Sequence, residues 1–252
     1  MRLEFTKMHG WGNDFVVAQG PVDLSAEQIH SLCDRRFGVG ADGLLVVTPG
    51  SPVHMDCWNA DGGRAEMCGN GFRCVARFAH DRGMVSGDTF EIATAVGVRN
   101  VVLDGEEIDV ELGPVKVTGH TEIDGERYHL IDVGNPHAVV EVADVAATDV
   151  GVVGPRVEKD ERFQNGTNVE FVRFEDGGVD MRVWERGVGE TPACGSGMVA
   201  AAFVATKAAR METPLKVRVP GGAGTVDFRD GSGWLRGPVE YVFEGVWEPT
   251  QG

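Results

Sequence analysis

The hydrophobic and polar positions divide this chain into short runs. VHMDCW (Val53–Trp58), TFEIAT (Thr89–Thr94), EIDVEL (Glu107–Leu112), VDMRVW (Val179–Trp184) and LKVRV (Leu215–Val219) alternate or are rich in β-branched residues, with Gly, Asp or Pro nearby. That pattern predicts half-buried strands bounded by turns, and 36 glycines supply the turns. Three segments change to helical spacing. Ser25–Phe37 opens with the capping-box pair Ser25 and Gln28, places Ile29, Leu32 and Cys33 on one face, and meets Gly38 at its end. A second helix is predicted from near Asn70 to Gly83, with Phe72, Val75, Ala76 and Ala79 sharing a face. A third runs from near Ser196 to about Arg210 and is apolar nearly all round, which predicts burial in the middle of a core.

The runs repeat. MCGNGF (Met67–Phe72) and ACGSGM (Ala193–Met198) share the order Cys-Gly-polar-Gly and lead into the second and third helices, half a chain length apart. GNDFVV (Gly12–Val17) is echoed by GNPHAVV (Gly134–Val140), and Asn59 precedes Cys68 by the same interval as Glu185 precedes Cys194. Matches in the same order point to duplication. The expected fold is α+β (α/β), with two pseudo-symmetric halves, each a mostly antiparallel sheet wrapped around a central helix. Residues 1–115 would carry Cys68 and residues 116–252 Cys194, with the join near Gly113–Gly119 and the extreme C-terminal strand able to cross back. GVGADG (Gly38–Gly43) fits a dinucleotide fingerprint in letters only, because it follows a predicted helix and leads into a strand.

Composition narrows the function. The 252 residues carry 23 Lys and Arg against 39 Asp and Glu, a net charge of −16. That balance argues against nucleic acid and anionic membrane as partners. No run reaches the roughly 20 apolar residues of a membrane helix, and the first residues lack the apolar core of a secretory signal, so a cytoplasmic setting is expected. Five cysteines, with no CxxC pair and no Cys/His zinc spacing, predict neither a disulfide framework nor a structural metal.

The paired cysteines are the candidate chemistry. A helix N-terminus offers unpaired N–H groups and the positive end of the macrodipole, which suits a carboxylate and is expected to lower the pKa of a thiol placed there. If the halves face each other, two such thiols flank one α-carbon: a thiolate removes its proton, the opposite thiol returns one, and the centre inverts. N–H groups aimed at the substrate carboxylate would relieve the developing charge. Cys33, Cys57 and Cys74 read as packing residues.

The motifs KMHGWGNDFVV, RRFGVGADGLL, WNADGGRAEMCGNGFRC, GNPHAVV and WERGVGETPACGSG, in this order over essentially the whole chain, resemble diaminopimelate epimerase. The resemblance implies a fold of two α/β halves with the site in the cleft, and interconversion of LL- and meso-2,6-diaminopimelate without cofactor or metal, for lysine and peptidoglycan precursors. It implies Cys68 and Cys194 as the acid–base pair, with His137 and Glu185 tuning them. Asn13, Asn59, Asn135, Asn168, Glu185 and Arg186 would hold the substrate, and Gly69–Asn70 and Gly195–Ser196 would cradle its carboxylate. Taken singly, these asparagines are turn formers first and Glu185–Arg186 a surface pair. The family also implies a homodimer, with Phe243 where an aromatic packs in some members, and glutamine in some members where Gly43 stands. Two other readings stay open: a proline racemase-like or hydroxyproline epimerase-like enzyme, and a thiol redox protein cycling a Cys68–Cys194 pair.

Overall fold

The computed structural model describes residues 2–65, 69–209 and 211–249; Cys68 and Arg210 lie outside the described residues. The chain divides into two units, Met1–Val110 with Gly237–Gly252, and Glu111–Arg236.

The strands of the first unit are β1 (Leu3–Gly10), β2 (Asn13–Gln19), β3 (Gly43–Thr48), β4 (Val53–Asn59), β5 (Thr89–Thr94), β6 (Gly97–Asp104), β7 (Glu107–Pro114) and β17 (Glu240–Trp247). They pair in the order β17-β1-β2-β3-β4-β5-β6-β7, with β2–β3 and β4–β5 parallel and the others antiparallel. Each parallel pair needs a crossover. Helix α1 (Ala26–Cys33) lies between β2 and β3, and α2 (Gly69–Asp81) between β4 and β5.

The second unit contains β8 (Lys116–Ile123), β9 (Glu126–Asp132), β10 (Pro136–Glu141), β11 (Asn168–Glu175), β12 (Gly178–Glu185), β13 (Gly189–Thr191), β14 (Leu215–Val219), β15 (Gly222–Arg229) and β16 (Ser232–Gly237). The order is β8-β9-β10-β11-β12-β14-β15-β16, with β13 also on β12, and here too the two parallel pairs, β10–β11 and β12–β14, occupy the third and fifth steps. Helices α3 (Val150–Glu158) and α4 (Gly195–Ala208) make the crossovers. Strand for strand and crossover for crossover, the second unit repeats the topology of the first.

Local chemistry accounts for both ends of α1. Ser25 caps α1 through the reciprocal bonds of a capping box with Gln28. The helix stops at Cys33, four residues before the expected Phe37. Asp34 is extended, and its carboxylate accepts the N–H groups of Arg36 and Phe37 instead, so a side-chain turn replaces the last helical turn. Helix α3 has no counterpart among the predicted helices. Its sequence VGVVGPRVE contains two glycines and an internal proline, residues that oppose helix on propensity. Packing overrides that: a Cβ at Gly154 would lie 2.5 Å from the Trp184 ring, so the glycine is what lets α3 lie against β12.

The central helices are α2 and α4. Helix α2 packs against β1, β2, β3 and β4, and α4 against β9, β10, β11, β12, β14 and β15. From Gly197 to Ala202, α4 is entirely buried, as its unbroken apolar pattern predicts.

Candidate active site

Each unit brings an asparagine from a strand start to the first turn of its central helix. In the first unit, Trp11 and Gly12 both take positive φ and join β1 to β2 as a two-residue hairpin, Gly10 opposite Asn13. Asn13 thereby faces α2, where the Asn70 amide donates to its Oδ1 at 3.2 Å. Asn13 in turn donates to Asp42 at 2.8 Å. Behind it lies a charge network that the sequence reading did not include. Arg35 donates to Asp14 and Asp42, and buried Lys7 pairs with Asp14 at 2.5 Å and donates to the Gly40 carbonyl. Burial pushes the Asp14 carboxyl up, but the bonds from Arg35 and Lys7 outweigh it and hold the group down at about 2. On α2, fully buried Arg73 donates to Asn70 Oδ1 at 2.9 Å and stacks 3.8 Å above the Trp11 ring. Asn59 stands exposed at the end of β4, opposite Gly43. A Cβ at position 43 would lie 2.3 Å from the Trp58 carbonyl oxygen, so local geometry requires glycine there.

In the second unit, Cys194 is the N-cap of α4, its carbonyl accepting the Met198 N–H, with Gly195 as the first helical residue. Asn135 precedes β10 and donates to Ser196 Oγ at 3.3 Å; Ser196 Oγ lies 3.5 Å from Cys194 Sγ. His137 is buried on β10, its Nε2 2.9 Å from Asn135 Oδ1. Asn168 opens β11, donating to the Pro136 carbonyl and accepting the Arg186 backbone N–H, both at 2.9 Å. Glu185, at the end of β12, accepts from the Thr191 hydroxyl and from the Cys194 thiol. Arg186 itself is exposed. A cavity of about 240 Å³ lies beside this group, with Asn135, His137, Phe163 and Thr167 in its wall.

The thiol behaves differently from the expectation of a lowered pKa. Burial pushes Cys194 well above the usual thiol range, and the carboxylates of Glu185 and Glu170 push it further. The Ser196 hydroxyl and the Gly197 N–H pull the other way, as a helix start should, without offsetting the rest. Burial likewise raises the Glu185 carboxyl, against hydrogen bonds from Thr191 and Cys194. Cys194 in this state is a protonated thiol, suited to giving a proton.

Glu170 is the residue that sequence reasoning missed. It is fully buried on β11, with Oε1 2.6 Å from His137 Nδ1. The signal was available: NVEFV places a charge inside a run otherwise fit for a buried strand, and buried carboxylates are rare unless paired. Among the described residues, no group of three or more His, Cys, Asp or Glu side chains is placed to hold a metal ion.

Comparison with known proteins identifies the family. The sequence profile of the family described as diaminopimelate epimerase matches twice, over residues 5–118 and 129–242. The diaminopimelate epimerase of Desulforudis audaxviator is 40% identical over 97% of this chain and 99% of its own. That of Caldanaerobacter subterraneus subsp. tengcongensis is 41% identical over 98% and 100%. Among solved structures, a phenazine biosynthesis PhzF-family protein from Enterococcus faecalis shares the fold at a TM-score of 0.77, covering 99% of this chain and 100% of that one at 14% identity. With matched residues in both halves and identity sustained over nearly the full length, the chain belongs to the diaminopimelate epimerase family.

Proposed function

We propose that this protein interconverts LL- and meso-2,6-diaminopimelate without a cofactor, using Cys68 and Cys194 as proton acceptor and donor. The observation that carries the reading is the Cys194 thiol, protonated at the buried start of α4 and bonded to Glu185 and Ser196. Inversion requires that a base take the α-proton from one face and an acid return one to the other. A thiol held protonated by its surroundings is the acid. The chain's other Cys-Gly-x-Gly cysteine, Cys68, supplies the thiolate.

The N–H groups of the first turn of α4 have no partners inside the helix and suit the substrate carboxylate, whose negative charge grows as the α-proton leaves. Asn135 and Ser196 border that turn, and Asn13 and Asn70 border the equivalent turn of α2. Asn59, Asn168 and Arg186 bind the distal ammonium and carboxylate, with Arg186 reaching out as a forked donor to the latter. The working form is a homodimer in the cytoplasm. Strand β17 supports the dimer, since it leaves Tyr241, Val242, Phe243 and Val246 each about half exposed.

The test is α-proton exchange in D2O with reduced protein, given LL-diaminopimelate and, separately, L-proline. Deuterium uptake into diaminopimelate with meso product bears the reading out. Uptake into proline alone keeps the chemistry and replaces the substrate, and uptake into neither defeats the reading.

A further inference from the structure

The matching topology of the two units allows position-by-position comparison. In β2–β3, Phe15 lies beside Gly43 and Val17 beside Leu45; in β10–β11, His137 lies beside Asn168 and Val139 beside Glu170. Phe15 therefore occupies the place of His137, and Leu45 the place of Glu170. All four side chains are buried, with exposures of 3%, 1%, 0% and 0% for Phe15, His137, Leu45 and Glu170. The same fold thus accepts apolar residues where the second unit places a buried histidine–carboxylate pair. Such a pair is weak evidence of stability, because desolvation offsets its attraction.

The pair does not stand alone. Glu170 Oε1 faces His137 Nδ1 at 2.6 Å, and His137 Nε2 faces Asn135 Oδ1 at 2.9 Å. Both ring nitrogens meet oxygens, so the ring is held between Glu170 and Asn135. With its Oδ1 taken up by the ring, Asn135 turns its NH2 to Ser196 Oγ, and Ser196 Oγ lies 3.5 Å from Cys194 Sγ. The contacts run without a break from Glu170 to the sulfur. Space for Glu170 comes from Gly197, where a Cβ would lie 2.7 Å from Glu170 Oε1. Among the described residues, Glu170 Oε2 has no hydrogen-bond partner. A carboxyl oxygen left bare in a core is a cost with no structural return.

We propose that Glu170 is a positioning residue for the epimerase site: by accepting from His137 Nδ1, it fixes the ring against Asn135 and so sets how Asn135 and Ser196 meet the Cys194 sulfur. The proposal rests on the epimerase reading for its kinetic consequence. The charged group of β12 that acts on His137 is Glu185, and the α4 start contributes Ser196 and Cys194. On β9, Ile131 is the residue across from the ring, and Asp132 is engaged with the Gly134 N–H.

The experiment pairs 15N spectra of the histidine rings with kinetics for wild type, Glu170→Gln and the double variant His137→Phe/Glu170→Leu. Glutamine keeps the shape and an acceptor but can also donate, so it no longer enforces hydrogen on the ring nitrogen that faces it. We expect His137 of the wild type to show a single ring state with hydrogen on Nδ1. Glu170→Gln should show changed ring signals and lose roughly 10- to 100-fold in kcat/KM, with an altered pH profile. The double variant copies the apolar pair of the first unit and should fold with a melting temperature at or above that of wild type while exchange is lost. A Glu170→Gln protein with wild-type ring signals and a wild-type pH profile would overturn the proposal. So would a double variant that fails to fold, since the pair would then be structural. Wild-type protein without exchange would defeat the epimerase reading instead, and the ring spectra would still report on the pair.

Discussion

The two units use one topology to opposite electrostatic ends. Around Asn13, the carboxylates of Asp14 and Asp42 are answered by Lys7 and Arg35, and Asp14 is locked in its ionised form. Around Asn135, Glu170 and Glu185 share a buried neighbourhood with one histidine, and both Glu185 and Cys194 are pushed toward keeping protons. Pro136 stands where Asp14 stands, one residue beyond the paired asparagine. A balanced network resists titration and gives rigidity. An unbalanced one leaves protons loosely assigned, which is what acid–base chemistry needs. Among the described residues, the network of the first unit is balanced in charge and that of the second is not.

The contrast is broken most directly at the thiol. Cys194→Ser should lower exchange of the diaminopimelate α-proton by about 10³-fold or more while leaving the fold intact, because a serine hydroxyl is a far weaker acid than a thiol. Retained exchange would mean that the proton donor lies elsewhere. Glu185→Gln comes next. It removes a carboxylate that both accepts from the thiol and opposes its ionisation, so kcat should fall by about 10²-fold. In the free protein, the pH midpoint for alkylation of Cys194 should move down. A midpoint that stays put would show that Glu185 does not govern the thiol.

The balanced network is probed by stability. Asp14 is held at about 2 in the folded chain against an ordinary value of 3.8. Its contribution is therefore present above pH ~4 and is lost as pH falls through ~2, and on the order of 2 kcal/mol is at stake. Asp14→Asn should melt lower than wild type at neutral pH, with the gap closing toward pH 2. A gap that does not change with pH would assign the loss to packing. The smallest effect concerns the first crossover helix of each unit. Ser25 caps α1 in a full capping box, whereas Asp149 precedes α3 with no side-chain cap bond. Ser25→Ala should cost about 1 kcal/mol and Asp149→Ala a few tenths at most, read from denaturant midpoints.

Much of this was legible in the residues, and the gaps have physical causes. Thr89–Thr94 and Leu215–Val219 are strands over the ranges their alternation predicts; Leu215, Val217 and Val219 form one buried face, and Ile92 is the buried residue of Thr89–Thr94. The two central helices were legible from their Gly-rich starts and an unbroken apolar face. Helix α3 was not, because its propensities oppose it and only the Trp184 ring against Gly154 reveals why it forms. Asn13, Asn59, Asn135 and Cys194 were marked by repetition, and Asn168 only by the family resemblance. Glu170 was not, since its partner His137 lies 33 residues away and no local pattern links them. Partnership across strands is set by register, and register is a property of the assembled sheet.

Helix α4 has a consequence for how this protein is made. It is clothed by strands that precede it, β9 to β12, and by strands that follow it, β14 and β15. During synthesis its apolar surface stays uncovered until the chain has passed Arg229. Cys194 is fastened to the first turn of that helix, so the thiol reaches its working surroundings only when the second unit closes its core. Catalytic competence should thus be among the last properties to return on refolding, after most of the sheet signal. Recovery of exchange activity would serve as a clock for the final folding step.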